Sequence, residues 1–417
     1  MKQTCNPITP KRTPSRLGKV RISSALRSVL RRLRYSVIPL FLHSAIVLGI
    51  SYVITVCFIS SAGSLSFFGV LDESGDAPMS DMYLYVNARR GPARLEPRIV
   101  FVDIDACKDR FEIAQVIEQV NALRPKVVGL DVFFRNRKDP GEDAKLEKVI
   151  LKSENLVVAC VLASEQQDDN DTYHLRYHNF FADREDLTLT EGFINLDSDG
   201  FRAVQTFTPR LFLQLDESLD TIYSFAAQVV RLYDETAFHK LLQRTGNLEL
   251  IHYQPLLFYE IDKNEIDDNA ELITGKIVLI GSLSEEMHKT PVNPQMRGIE
   301  IHAFVISTIM DAIYINRIDN VWTKILNTLL CFLFTLFCWF ATTRFSKGAS
   351  ILIKLVQVAI LGIAFFAGYY LFNLYNIDMT YSRSIIVMGI VILIVDIYNV
   401  CIFAGRKFLI TLKNKLK

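Results

Sequence analysis

Asp and Glu are missing from the first 35 residues, which carry ten Lys and Arg. Cysteine is scarce in the long stretch 61–320, where only Cys107 and Cys160 occur. Two cysteines do not make a disulfide framework, and their spacing leaves open whether they pair. No C-x-x-C suggests a metal or redox pair. The same stretch lacks G-x-G-x-x-G and a Walker A loop, so a nucleotide- or NAD-dependent reaction has no support. Zinc-protease spacing is absent, and Ser282 after Gly281 does not sit in a G-x-S-x-G elbow. Neither an enzyme activity nor a cofactor is expected. No internal period marks a repeat architecture.

Four long apolar stretches are present, at 37–60, 321–342, 350–372 and 384–403. Each is long enough to cross a hydrocarbon core about 30 Å thick as a helix. Charge is distributed unevenly around them. Residues 36–320 hold 26 basic and 43 acidic residues, and residues 321–417 hold ten basic and two acidic. Short flanks rich in Lys and Arg stay cytoplasmic, whereas long domains translocate largely regardless of charge. The basic leader 1–36 and the tail 404–417 are therefore placed inside, and 61–320 outside the cytoplasm. Arg344 and Lys347 fall in a short inner loop and agree with this orientation. The first apolar stretch exceeds the length of a signal-peptide core and reads as an uncleaved anchor. The basic leader reads as a topology signal that can touch anionic lipid, and no nucleic-acid partner is expected. A multi-pass protein of the inner (plasma) membrane follows, with the lipid bilayer as one partner.

Within 61–320, apolar runs alternate with helical periodicity. Residues 98–105 read as a strand, 111–123 as a helix, 126–134 as a strand, 142–153 as a helix and 155–162 as a strand. Near-continuous apolar strands separated by helices argue for a parallel sheet covered on both faces. Residues 192–207 read as a β-hairpin turning at Asp197–Gly200, because Asp-Gly favours tight turns. Residues 219–232 read as a helix, 248–253 and 276–281 as strands, and 298–310 as a helix heading for the membrane. The polar stretch 165–176 reads as an exposed loop. The fold class is α/β: a mostly parallel sheet with a β-hairpin insertion, combined with four transmembrane α-helices.

Several of these segments, in order, resemble the CHASE2 family of extracytoplasmic sensory domains. They are 99–105, R-P-K-V-V-G-L-D-V-F-F at 124–134 and 192–202 with its Asp199-Gly200 turn. The series continues with T-G-K-I-V-L-I-G-S at 274–282, Thr290-Pro291 and R-G-I-E-I-H-A at 297–303. The frame of one span before the domain and three after it is also similar. The resemblance implies a sensory or signal-relay role, an unknown extracytoplasmic small molecule or protein as input, and a cytoplasmic output. A structural or interaction subunit of an envelope complex is the alternative. Two departures stand out. The Trp-Pro-Trp segment frequent in the family is missing after the first strand. In addition, about 14 residues after the fourth apolar stretch are too few for a catalytic core. Output is thus expected to pass to a separate cytoplasmic signalling protein, and a homodimer is a reasonable device for passing it.

Asp103, Asp105 and Asp131 fall at or near strand ends, where ligands of open α/β folds bind. They can bind a ligand or cation, or they can accept hydrogen bonds from turns and helix ends. Asp131 is expected to be the structural one, because it stands between Leu130 and Val132. Asp105, at the strand-to-helix transition, is expected to be the one a ligand reaches. His288 and His302 flank Thr290-Pro291 and join the candidate ligand-binding set; no metal is expected there. In the spans, Lys354 and Asp396 lie at depths of about 6 and 11 Å from the cytoplasmic ends, counting 1.5 Å per residue. A lone intramembrane Asp is expensive, so the two are expected to pair.

Overall fold

A computed structural model describes residues 37–62, 79–163, 174–177, 179–181, 189–196, 203–215, 218–246, 248–318, 320–345, 350–379 and 381–416. In chain order the elements are α1 (Ile38–Ala62), α2 (Met79–Ala88), β1 (Arg94–Asp103), α3 (Arg110–Ala122), β2 (Val127–Asp131), α4 (Pro140–Lys152), β3 (Leu156–Ala163), β4 (His174–Tyr177) and β5 (Thr190–Phe193). They continue with β6 (Thr206–Phe207), β7 (Arg210–Leu215), β8 (Ser218–Tyr223), α5 (Phe225–Tyr233), α6 (Glu235–Leu242), β9 (Glu249–Leu250), β10 (Leu256–Asp262), α7 (Ala270–Ile273) and β11 (Ile277–Gly281). The last are β12 (Met287–His288), β13 (Met296–Arg297), α8 (Gly298–Asp311), β14 (Asn316–Ile318), α9 (Val321–Arg344), α10 (Ser350–Tyr375), β15 (Ile377–Met379) and α11 (Ser382–Lys415).

Strands β10, β1, β11, β2, β3 and β5 form the parallel sheet in that order, and β4 adds antiparallel to β3. Alternation along each strand sends successive side chains to opposite faces. Ile99, Phe101, Ile277 and Leu279 pack with α5 and α8, against Phe225, Val229 and Ile301. Their neighbours Val100, Val102, Val278 and Ile280 pack with α3 and α4, against Ile117, Val120 and Leu146. The result is a three-layer α/β/α domain. Asp109 and Asp139 cap α3 and α4 by accepting from Glu112 N and from Gly141 N and Glu142 N. Arg110 and Asp143 form a buried ion pair between those two helices. At Gly192 a Cβ would lie 2.5 Å from Phe225 Cα, so glycine lets α5 begin directly against β5.

Three expectations change in the middle of the domain. The helix expected over 219–232 is split: β8 pairs antiparallel with β7, and α5 starts only after Ser224, whose hydroxyl accepts from Ala227 N at 3.3 Å. Thr221, Ile222 and Tyr223 are β-branched or aromatic and suit the pleated pairing. The β7–β8 hairpin is thus the described insertion. The turn expected at Asp197–Gly200 lies outside the described residues, while Gly192 and Phe193 belong to the parallel sheet. Most of the loop expected at 165–176 also lies outside them, and His174, Leu175 and Arg176 open strand β4.

Helices α1, α9, α10 and α11 are each long and apolar enough to cross a membrane. Val47, Cys331, Phe334, Val387, Val391 and Val395 make the core between α1, α9 and α11. Helix α11 runs on past 403 to Lys415, because the apolar composition ends there but good helix formers continue. On the outer side, β14 and β15 pair in parallel, and Arg317 lies 3.2 Å from the buried Asp378. Tyr83 of α2 is buried against Phe365, Tyr369 and Phe372 of α10, with its hydroxyl 2.6 Å from that of Tyr381. The outer domain is therefore tied to both sides of its membrane anchor.

Candidate functional site at the carboxyl edge of the sheet

The register aligns the strand ends. Asp103 stands beside Gly281, and Gly281 beside Asp131, while Asp262 flanks Asp103 on its other side. Asp103 continues the row of Ile99 and Phe101, and Asp131 the row of Val127 and Gly129. Alternation therefore directs both carboxylates toward the α5–α8 layer. Gly281 between them has no side chain to spare: a Cβ there would meet Ile299 Cδ1 at 3.0 Å and Asp131 Cβ at 3.3 Å. This brings the first turn of α8, and His302 with it, close to the sheet edge.

The carboxylates sit in different environments. Asp103 Oδ1 accepts from Asp105 N at 2.9 Å. Burial raises its pKa, and the Asp105 N–H works against that rise. Asp105 is exposed and its Oδ2 accepts from Leu283 N at 3.1 Å. Burial pushes its pKa up, but the hydroxyls of Ser282 and Ser284 and the Leu283 N–H hold it below the ordinary range. Asp131 is partly buried and its carboxylate has no donor among the described residues, so burial pushes its pKa up to about 7, with His288 opposing. Asp105, expected to be the one a ligand reaches, is exposed, and Asp131, expected to be the structural one, is the more buried of the two. Asp105 is the turn acceptor, and Asp131 is the group left without donors. A position inside an apolar run did not reveal which carboxylate the loop after β11 would reach.

His302 is buried in α8, edge-on to Phe225 at 5.4 Å. Burial lowers its pKa to about 4, with Glu286 opposing and His288 adding to the effect. It is neutral at physiological pH. His288 lies on β12, opposite Met296 of β13. The edge thus gathers Asp103, Asp131, His288 and His302 on one face of the sheet, with Asp105 at its rim. The backbone conformation of Glu286 was not legible from the chain. Its backbone is left-handed (φ 56°) and its carbonyl accepts from Gly298 N at 3.0 Å, at the start of α8. No sequence signal marks a non-glycine residue for that conformation.

Across the edge, on the α3–α4 face, the β1–α3 and β2–α4 loops enclose a cleft of about 630 Å³ lined by Cys107, Lys108, Phe133, Arg135 and Lys138 among others. Cys107 and Cys160 are free thiols, Cys160 being fully buried in β3. Among the described residues, no group of three or more His, Cys, Asp or Glu side chains is placed to hold a metal ion. In the membrane, Lys354 Nζ lies 2.8 Å from Asp396 Oδ2 and donates to the Ile392 carbonyl at 2.7 Å.

An α/β/α domain stands between one span-length helix and three, with the strand ends of its parallel sheet facing loops. The chain belongs to the CHASE2 domain family, which matches residues 54–343. Comparison with curated proteins and with solved structures finds no significant match. CHASE2 domains are sensory and non-catalytic: they sense extracytoplasmic ligands and relay to cytoplasmic partners. The protein is accordingly a multi-pass inner-membrane sensory or signal-relay protein with its CHASE2 domain outside and both ends of these 417 residues in the cytoplasm.

Proposed function

We propose that the carboxyl edge of the sheet, with Asp103, Asp105, Asp131, His288 and His302, is where the outer domain receives its input, a small molecule or protein segment. Residues 61–320 act as one receiving unit, and α8 is the element that passes the signal on. One observation supports this reading above others. Helix α8 has His302 in its second turn beside the edge, and its chain leads through β14 straight into the span α9. Fourteen residues of helix give a rod about 21 Å long. Asp311 at its far end is bridged at 2.8 Å to Arg98, at the sheet's opposite edge. Displacing the first turn of α8 therefore moves a stiff lever anchored at the membrane side. The receiver of that movement is a separate cytoplasmic signalling protein, and a homodimer lets paired spans shift against each other.

Hydrogen exchange of the full-length protein in lipid nanodiscs tests the proposal. A panel of small envelope metabolites and divalent cations is added, and protection is read on residues 281–303 and on α9. A compound that protects the edge should also change exchange in 312–320. That response should be lost in Asp131→Asn and in His302→Gln. A compound that stabilises the domain equally in both variants would place the input elsewhere. Cross-linking of single cysteines at Ile318, in a background without native cysteines, checks the dimer.

A further inference from the structure

The domain is acidic overall, yet one cavity in it carries the opposite sign. A pocket of about 450 Å³ opens between the end of α6 and β14. Its lining includes Lys240, Gln243, Arg244, Thr245, Tyr314 and Asn316, and no Asp or Glu. Arg244 is held in place from three sides. Its Nε donates to Glu249 at 2.6 Å, its Nη1 donates to Asn316 Oδ1 at 3.0 Å, and its guanidinium lies 4.8 Å from the Tyr314 ring centre. Tyr314 is nine-tenths buried, and its hydroxyl has no hydrogen-bond partner among the described residues. An orphaned hydroxyl at that depth is costly, so a ligand that supplies an acceptor gains from it.

The pocket lies at the level of the outer membrane surface. Asn316 N donates to the Asn376 carbonyl at 2.7 Å, in the connection between α10 and α11. Span α9 begins five residues later at Val321. Trp322 is exposed at its start, and Tyr370 and Tyr375 are exposed at the outer end of α10. Trp and Tyr mark the headgroup layer. A cation near a helix C-terminus also offsets the dipole, which accounts for Lys240 alone. It leaves unexplained a second, preorganised cation, whose Glu249 partner is buried, and the three neutral donors Gln243, Thr245 and Tyr314 around the same cavity.

We propose that this pocket binds a phosphate group of net negative charge, either an anionic lipid headgroup of the outer face or a soluble phosphate. Lys240 and Arg244 supply the charge, and Tyr314, Thr245 and Gln243 supply neutral donors. With Glu249 buried and held by Arg244, no carboxylate among the lining residues receives an ammonium, and the pocket disfavours zwitterionic choline or ethanolamine headgroups.

Native mass spectrometry of the full-length protein, released from nanodiscs of mixed phosphatidylglycerol and phosphatidylcholine, tests the lipid source. Phosphatidylglycerol should be retained preferentially, and Lys240→Gln should cut that retention about tenfold, the worth of one charge-assisted contact. Lys152→Gln, an exposed lysine on α4, should leave it unchanged. Tyr314→Phe should weaken retention and raise the thermal midpoint of the lipid-free protein, because it removes a buried hydroxyl that has no partner among the described residues. The second arm adds millimolar inorganic phosphate to protein in phosphatidylcholine alone. A rise in thermal midpoint that disappears in Lys240→Gln, with no lipid preference in the first arm, assigns the site to a soluble phosphate. Equal lipid retention in wild type, Lys240→Gln and Arg244→Gln, together with no response to phosphate, overturns the proposal. Lys240 is exposed, so its variant folds even if Arg244→Gln does not.

Discussion

Replacing Asp131 by Asn should stabilise the protein at alkaline pH and do little at acid pH. The Asp131 carboxylate has no donor among the described residues, and burial pushes its pKa from 3.8 up to about 7. The folded state therefore holds a proton that the unfolded chain releases, between about pH 4 and 7. Stability falls with rising pH wherever the folded state binds more protons. The penalty is absent below pH 4, grows through that window and is complete above pH 7. The full displacement corresponds to about 4 kcal/mol at 1.36 kcal/mol per pH unit. Asp131 is partly accessible, so water screens it and about 2 kcal/mol is the working figure. The asparagine amide imitates the protonated carboxyl at every pH and should remove the penalty. His302 titrates in the opposite sense: its pKa is lowered to about 4, so stability is lost as pH falls from 6.5 toward 4. That contribution is common to both proteins and cancels in their difference. Urea unfolding of the outer domain of the full-length protein in nanodiscs, followed at pH 4, 6 and 8, measures that difference. A variant less stable than wild type at pH 8, or a difference independent of pH, would refute the reasoning.

Asp105→Ala should lower stability by about 1 kcal/mol, the value of a lost side-chain cap, because it frees Leu283 N. Its folded pKa is lowered, so this contribution is present above pH 4 and fades on acidification, which melts at pH 7 and 3 will show. Gly281→Ala should cost about 1–3 kcal/mol by pushing Ile299 away from the sheet edge; an unchanged melting point would disprove the close approach. Arg110→Ala leaves the Asp143 carboxylate buried without its partner and should cost about 3–5 kcal/mol, read by urea midpoint. Protease applied to the outer face should cut within 165–176 and spare both ends of the chain. Loss of either end from outside would invert the topology.

The spans and the strands β1, β2, β3 and β11 were legible because each rests on a signal that composition carries, whereas β10 was not expected and β5 was read into a hairpin. An apolar run of about 20 residues has few alternatives to a membrane helix. Apolar strands such as 127–131 and 277–281, each bounded by turn residues, have few alternatives to a buried parallel sheet. Residues 219–232 were misread because Leu219, Ile222, Phe225 and Val229 satisfy a helical period while 218–223 also satisfy a strand. Pairing with β7, which no local pattern announces, decides between them. The helical extension of α11 was missed for the converse reason, since hydropathy marks where a membrane ends and not where a helix does.

The site was half legible for a related reason. Which residues reach the carboxyl edge follows from strand ends, and strand ends are local. What each carboxylate meets there depends on chain far away in sequence: Leu283 N reaches Asp105 across 178 residues. Asp131 and Asp105 differ in donors because the loop after β11 passes one and not the other. The same loop leads through β12 and β13 into α8. A ligand that orders this loop therefore acts on the hydrogen bonds of Asp105 and on the start of α8 together. In the proposed function, binding at the edge and movement toward α9 share one short segment, residues 282–298. Changes in that segment should disturb signalling more than changes of equal stability elsewhere in the sheet.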